Sequence, residues 1–339
     1  MDFFETDILA RIQPAIDLTI QLGVLDFRLV SNVPNFPAQK YFSAKSQSVY
    51  KGKKTDFELW CISISKGSLE PEKILPYVDQ TYRGKSFLRG YYVTDHFGSP
   101  IYLVTRENRC YVFGEELEHV VWPYFVKYFL MLKTIQNALF LKAAACSVGT
   151  AGTLLLGRGG AGKTVFLTQL CLHGAQFLSN SHSIIEDRRI CGVTSSIRIR
   201  PGYWYEDLTK KIETNNALIP GELIIDPYDA FTIAPNVGPL VKNICILDYI
   251  DSGRHVIKKI PWRELYDYAE QFSLAINVYR LEEDLLDHFS GDFHLFSEVY
   301  SQMKLRLQSF IERSHCFYIS SDMLNPSFRA DVLDALATE

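Results

Sequence analysis

The segment Gly157-Arg158-Gly159-Gly160-Ala161-Gly162-Lys163-Thr164 fills the pattern G-x-x-x-x-G-K-[S/T] at every fixed position. Glycines let a backbone fold closely around phosphate oxygens, and the amides at a helix N-terminus face the anion. In this pattern Lys163 reaches the outer phosphates of a nucleotide, and the Thr164 hydroxyl holds Mg2+. The flanks agree. The apolar run Thr153 to Leu156 reads as a buried strand, and Val165 to Leu172 reads as the first turns of a helix. The spacing therefore predicts a site for ATP or GTP.

Phosphoryl transfer needs metal, positive charge, alignment and sometimes a base. The other groups should lie at strand ends facing the same crevice. Asn180-Ser181-His182 follows the short apolar segment Gln176-Phe177-Leu178. His182 is a candidate base, because an imidazole titrates near neutrality; the alternative is a histidine that caps a turn. Asn180 can hold a phosphate or a metal-bound water, or simply form a turn. Asp248 ends the run Ile244-Cys245-Ile246-Leu247, as a Mg2+-holding Walker-B aspartate would. Asp226 and the pair Glu186-Asp187 are weaker metal candidates. Arg198 and Arg200 alternate along one strand and so share a face. Two guanidiniums there suit an anionic acceptor or a transferring phosphoryl group, with a solvated ion-paired face as the alternative.

These residues need a folded frame, and the bulk sequence supplies one. The chain has 339 residues, 47% of them hydrophobic, enough for one large domain or two ordinary ones. With 35 basic against 39 acidic residues, the net charge of -4 gives no sign of a nucleic-acid partner. Seven scattered cysteines without C-x-x-C spacing read as reduced thiols, and the acidic N-terminus does not read as a secretory signal, so the expected compartment is the cytoplasm. Lys127, Lys133 and Lys142 interrupt the most apolar stretch and argue against a membrane span.

The expected class is α/β in two domains. Residues 1–121 read as an α+β domain rich in antiparallel strands, including a hairpin at His96-Phe97-Gly98-Ser99, with substrate recognition as its expected role. Residues 122–339 read as a nucleotide-binding domain entered by a linker helix, Trp122 to Leu139. A strand from Phe140 to Val148 then turns at residues 149–152 into the strand before the loop. Lys242 to Tyr249 reads as a buried strand, Trp262 to Ser273 as an amphipathic helix, and the C-terminal region as a helical tail.

The run from Leu141 to Gly202 resembles the catalytic core of the HPr kinase family, in its HPr-kinase-related branch. The resemblance rests on LKAAACSVGTAGTLLLGRGGAGKTVFLTQL, GAQFLSNSH and RRICGVTSSIRIRPG. It implies a P-loop core akin to that of phosphoenolpyruvate carboxykinase, with a hairpin before the loop, and a kinase using ATP and Mg2+. It also implies that residues 157–164 hold the nucleotide. Three positions depart from the family pattern. Lys142 stands where a histidine is usual, and Asn180-Ser181 stand where paired aspartates are usual. An amide takes no proton, so the base role passes to His182 or lapses. The expected activity is transfer of the γ-phosphoryl group to a hydroxyl of an anionic small molecule, peptide or protein, with a homo-oligomer compatible with the resemblance. A nucleotide-dependent regulatory module and a P-loop ATPase or GTPase are the alternatives.

Overall fold

A computed structural model of the chain describes residues 4, 6, 8–78, 101–235, 238–248 and 254–337. The expected hairpin at residues 96–99 lies outside them. The chain is mixed α/β, and its contacts divide it into two units. One comprises residues 1–21, 25–133 and 283–290; the other comprises 22–24, 134–282 and 291–339. Residues 122–133 thus group with the first unit, whereas the sequence reading put them with the second.

The first unit is built on β1 (Ile16–Leu22), β2 (Leu25–Ser31), β3 (Gln47–Val49), β4 (Phe57–Ser63), β5 (Tyr102–Arg106) and β6 (Arg109–Gly114), in the sheet order β3-β1-β2-β4-β6-β5. The centre of this sheet is parallel, since β4 pairs parallel with both β2 and β6. β1 pairs antiparallel with β3, and β5 with β6, so the expected antiparallel strands are present toward the sheet's edges, and its parallel centre is the departure from that expectation. Central parallel strands are covered on both faces, so they read as short apolar runs that reveal no pairing direction. Phe4, Ile8, Ile62, Tyr111 and Phe113 pack on one side of the sheet. The expected linker helix is a helical run from Glu118 to Thr134, π-wound over Val121–Val126, and it stops five residues before Leu139.

The second unit carries the glycine-rich loop. Its strands begin with β7 (Ala138–Leu141), β8 (Ala144–Val148), β9 (Ala151–Leu156), β10 (Gln176–Ser179), β11 (Ser183–Glu186) and β12 (Arg189–Gly192). They continue with β13 (Ile197–Ile199), β14 (Asn215–Asn216), β15 (Leu223–Ile225), β16 (Val241–Asp248), β17 (His255–Lys259) and β18 (His315–Ser321). The main sheet has the order β10-β8-β9-β16-β18-β17. β8 and β9 form the expected hairpin, pairing Ala144 with Leu155 and Val148 with Ala151. β9, β16 and β18 are parallel to one another, while β10 and β17 pair antiparallel at the two edges.

The strand expected from Phe140 to Val148 is two strands, broken at Lys142-Ala143. β7 leaves the main sheet for a three-stranded sheet of order β12-β11-β7. Leu155, Phe166, Leu170, Cys245, Phe317 and Ile319 form the core of this unit with Val332 and Leu336 of the Pro326–Ala337 helix. All seven cysteines are free thiols. No helix among the described residues is long and apolar enough to cross a membrane.

Candidate functional site at the glycine-rich loop

The loop leaves the C-terminal end of β9 and enters the helix Lys163–Leu172. Gly162 caps that helix in the left-handed region, at φ 80°, and its carbonyl accepts the first helical hydrogen bond from Phe166 N at 2.9 Å. Gly157 is required for a different reason. A Cβ there would stand 2.9 Å from the Ala161 Cβ and 3.2 Å from the Leu247 carbonyl oxygen. At Gly159 and Gly160 an added Cβ would meet nothing within 4 Å, so the top of the loop opens onto free space. Arg158 is exposed beside it, and the Arg158 backbone N–H donates to the Tyr268 hydroxyl at 2.9 Å.

Lys163 folds back into its own loop. Its ammonium donates to the carbonyl oxygens of Gly157, at 2.5 Å, and Arg158, at 3.0 Å. Burial is the larger of two causes that pull its pKa from the usual lysine value down to about 8, and repulsion from Lys142 is the other. Among the described residues neither lysine forms an ion pair. Lys142 sits at the β7–β8 break, where its backbone N–H donates to the Ser273 carbonyl at 2.7 Å. Its ammonium lies 6.0 Å from the centre of the Tyr279 ring.

The turn after β10 faces the same corner. Ser179 and Ser183 share a 2.6 Å hydroxyl hydrogen bond, and the Ser183 hydroxyl donates to the Ala143 carbonyl at 3.1 Å. This clip ties residues 180–182 to the strand break that carries Lys142. Within the turn, the Asn180 Oδ1 accepts from the Thr164 hydroxyl at 3.2 Å. His182 is buried, its ring 5.8 Å from that of Phe140, and its Nε2 lies 2.9 Å from the Tyr279 hydroxyl. Burial raises the Tyr279 pKa above the ordinary phenol value, so the phenol is protonated at neutral pH. Tyr279 ends the short helix Ala275–Tyr279 and has no signature in the sequence. It follows the mostly apolar segment Ser273 to Val278 after the Trp262–Phe272 helix, where it reads as one more core residue, and only the fold carries it to His182.

Asp248 ends β16, the parallel neighbour of β9, two positions beyond the Ile246–Leu156 pair that precedes the loop. Its carboxylate accepts a long hydrogen bond from the Tyr318 hydroxyl, at 3.5 Å. It thus stands at the carboxyl ends of the parallel strands, where ligands bind in open α/β sheets. The oxygens of Thr164, Asn180 and Asp248 are the hard donors that Mg2+ takes, usually with several waters retained. No group of three or more His, Cys, Asp or Glu residues suited to a metal occurs among the described residues.

The remaining candidates lie elsewhere. Asp226 caps the Pro227–Ala230 helix, accepting from Tyr228 N at 3.0 Å. Glu186 and Asp187 are exposed at the β11–β12 turn. Arg198 and Arg200 share a face of β13, as expected, but on the three-stranded sheet β13-β15-β14, where both meet Glu222, at 3.7 Å and 3.4 Å.

The chain matches no protein-family model and no curated protein sequence.

Proposed function

We propose that this chain is an ATP- and Mg2+-dependent kinase with a core of the HPr kinase type, transferring the γ-phosphoryl group to a hydroxyl of an anionic acceptor. The reading rests on one observation above all. Lys163, folded against the glycine loop, and Lys142, close enough to repel it, have no carboxylate paired to either among the described residues. Partly buried cations without acids are costly, and a polyphosphate offsets that cost. The antiparallel β8–β9 hairpin feeding the loop, with β10 outside it, also favours an HPr-kinase-like core over a doubly wound P-loop fold.

In this reading the loop amides, Lys163 and Lys142 bind the phosphates and neutralise charge on the transferring group. Thr164, Asn180 and Asp248 would hold Mg2+, which supplies further positive charge at the phosphate oxygens when bound. The acceptor hydroxyl gives its proton to the Tyr279 oxygen as Tyr279 passes its own proton to His182 Nε2. That step requires the tautomer with Nε2 unprotonated, and the 2.9 Å contact is short enough for the transfer. Arg198 and Arg200 stay outside this assignment because Glu222 engages both.

The test is label transfer from γ-labelled ATP with Mg2+, supplying a protein lysate freed of small molecules and, separately, a metabolite pool. Label incorporated by the wild type and absent with Lys163→Ala supports the kinase and sorts its acceptor. A second reading, a nucleotide-dependent regulatory module, is favoured by the amide at Asn180 in place of an acid. ATP binding without labelled product in either pool would select it. Release of labelled phosphate alone would select the ATPase alternative.

A further inference from the structure

A second cluster of cations lies away from the loop, in a cavity of about 270 Å³ between the β7–β11 strand pair and the C-terminal half of the Phe293–Glu312 helix. β7 and β11 run antiparallel from the Leu141–Ser183 pair, beside Lys142 and His182, to the Ala138–Glu186 pair at the far end. The cavity opens at that far end, about 10 Å along the strands at roughly 3.3 Å per residue. It is therefore distinct from the nucleotide corner and does not depend on how that corner is read.

The floor of the cavity is apolar. Leu139 and Ile185 face each other across the β7–β11 pair, and Phe310 joins them, all three nearly fully buried. Its wall is cationic, with three guanidiniums, Arg188, Arg306 and Arg313, against the single carboxylate of Asp187. No ion pair joins any of these four among the described residues. Arg306 is held in place by carbonyls, donating to Ile135 at 2.6 Å, to Gln136, and to Gln302 at 3.2 Å. Burial lowers its pKa below the ordinary guanidinium value, and no acid offsets that cost. Arg188 is positioned by the β11–β12 turn, where it adopts φ 62°. One of its terminal nitrogens donates to the Arg313 carbonyl at 2.8 Å, while its Nε is buried with no hydrogen-bond partner.

The apolar floor is buried, while the cavity above it is partly open to solvent. That floor does not explain the buried Arg188 Nε–H left without an acceptor, or the half-buried Arg306 guanidinium bonded to carbonyls rather than to an acid; Arg313 adds an exposed guanidinium beside them. Such a buried N–H costs free energy unless something accepts from it. Guanidinium forks match carboxylate and phosphate oxygens. We propose that this cavity binds a small amphiphilic oxyanion, its acidic group on Arg188 and Arg313 and its apolar body on Leu139, Ile185 and Phe310.

Isothermal titration of the full-length chain with phenyl phosphate, benzoate and inorganic phosphate at low salt tests this. A Lys163→Ala background removes phosphate binding at the loop. Saturable binding of phenyl phosphate or benzoate is expected, weakened about tenfold or more by Arg313→Gln and by Arg188→Lys, which keeps the charge but loses the fork. The preferred probe decides between a phosphate ester and a carboxylic acid. Binding by neither aryl probe, or binding indifferent to both substitutions in variants with unchanged circular dichroism, would overturn the proposal. Inorganic phosphate binding as tightly as phenyl phosphate would overturn the role of the apolar floor. Arg306 is left intact in these variants because its carbonyl contacts hold the strand entry.

Discussion

The loop lysines and the β13 arginines are both pairs of cations, yet their surroundings are opposite. Arg198 and Arg200, whose side chains are 45% and 84% exposed, meet over Glu222, which is 12% exposed. Arg28 in the first unit is similar, held by Asp17 at 2.8 Å and Glu58 at 3.3 Å with its guanidinium over the Tyr50 ring. These cations have acids of their own, and folding alone accounts for them. Lys163 and Lys142 are partly buried and repel each other; Lys163 bonds carbonyl oxygens, Lys142 lies near an aromatic ring, and neither forms an ion pair among the described residues. On the proposed reading, the difference separates charge that completes the fold from charge kept for a ligand.

The largest expected effect is at Lys163. Lys163→Ala should lower nucleotide affinity by about 100-fold or more and transfer by at least as much, read by calorimetry and label transfer. Because the unliganded lysine titrates at about 8, wild-type affinity should fall as pH rises through 8 and the ammonium is lost. Near pH 8 nucleotide binding should take up a proton, visible as a heat that differs between buffers of different ionisation enthalpy. The same shift has a stability consequence. A lysine whose pKa is lowered by folding destabilises the native state at pH values below 8, and that penalty shrinks between about pH 8 and the unfolded value of 10.5. Lys163→Met should therefore raise apo stability at pH 7 by about 1 kcal/mol, after the loss of its two carbonyl hydrogen bonds, and the gain should fade at alkaline pH. If Lys163→Met is destabilised at pH 7, the lysine is a structural plug and the contrast with Arg198 and Arg200 fails.

Next comes the buried pair beside those lysines. Tyr279→Phe should lower kcat by about 10- to 100-fold with little change in nucleotide affinity, and should move the acidic limb of the pH–rate profile. A purely packing role would leave that limb where it is. Asn180→Asp should have a smaller effect, and in the opposite direction. A carboxylate next to Thr164 gives Mg2+ a charged ligand and Lys163 an acid, so Mg2+ affinity should rise several-fold and the lysine pKa should rise with it. Unchanged Mg2+ affinity would remove Asn180 from the metal site.

What could be read from the residues alone follows from how local each feature is. The loop, its hairpin and the helix after it were legible because eight adjacent residues encode them through glycine geometry and one strand–helix boundary. β16 was legible from its four consecutive apolar residues, Ile244 to Leu247. β17 and β18 were not, because a strand set among helices carries little period of its own; β18 is placed by its pairing with β16 on one side and β17 on the other, both distant in the chain. The parallel centre of the first unit was hidden because short apolar runs do not reveal their pairing direction. At the site, His182 and Asn180 stood out by position, while Tyr279 and the cation cluster at Arg188 depend on packing between segments far apart in the chain.

The smallest effects should come from β13, and they sharpen the comparison most directly. With both arginines largely exposed, their contacts with Glu222 are screened, and the double change Arg198→Gln with Arg200→Gln should cost about 1 kcal/mol or less. It should also leave the acceptor KM within about twofold, because these guanidiniums already have their anion. Glu222→Gln reverses the condition. It leaves two like charges on one strand face without their acid, which should lower stability by about 1 kcal/mol and create a salt-sensitive affinity for phosphate there. If the double variant instead raises the acceptor KM by tenfold while kcat and stability hold, Glu222 is an acid that the acceptor displaces. The β13 arginines would then belong with the lysines, as charge kept for a ligand.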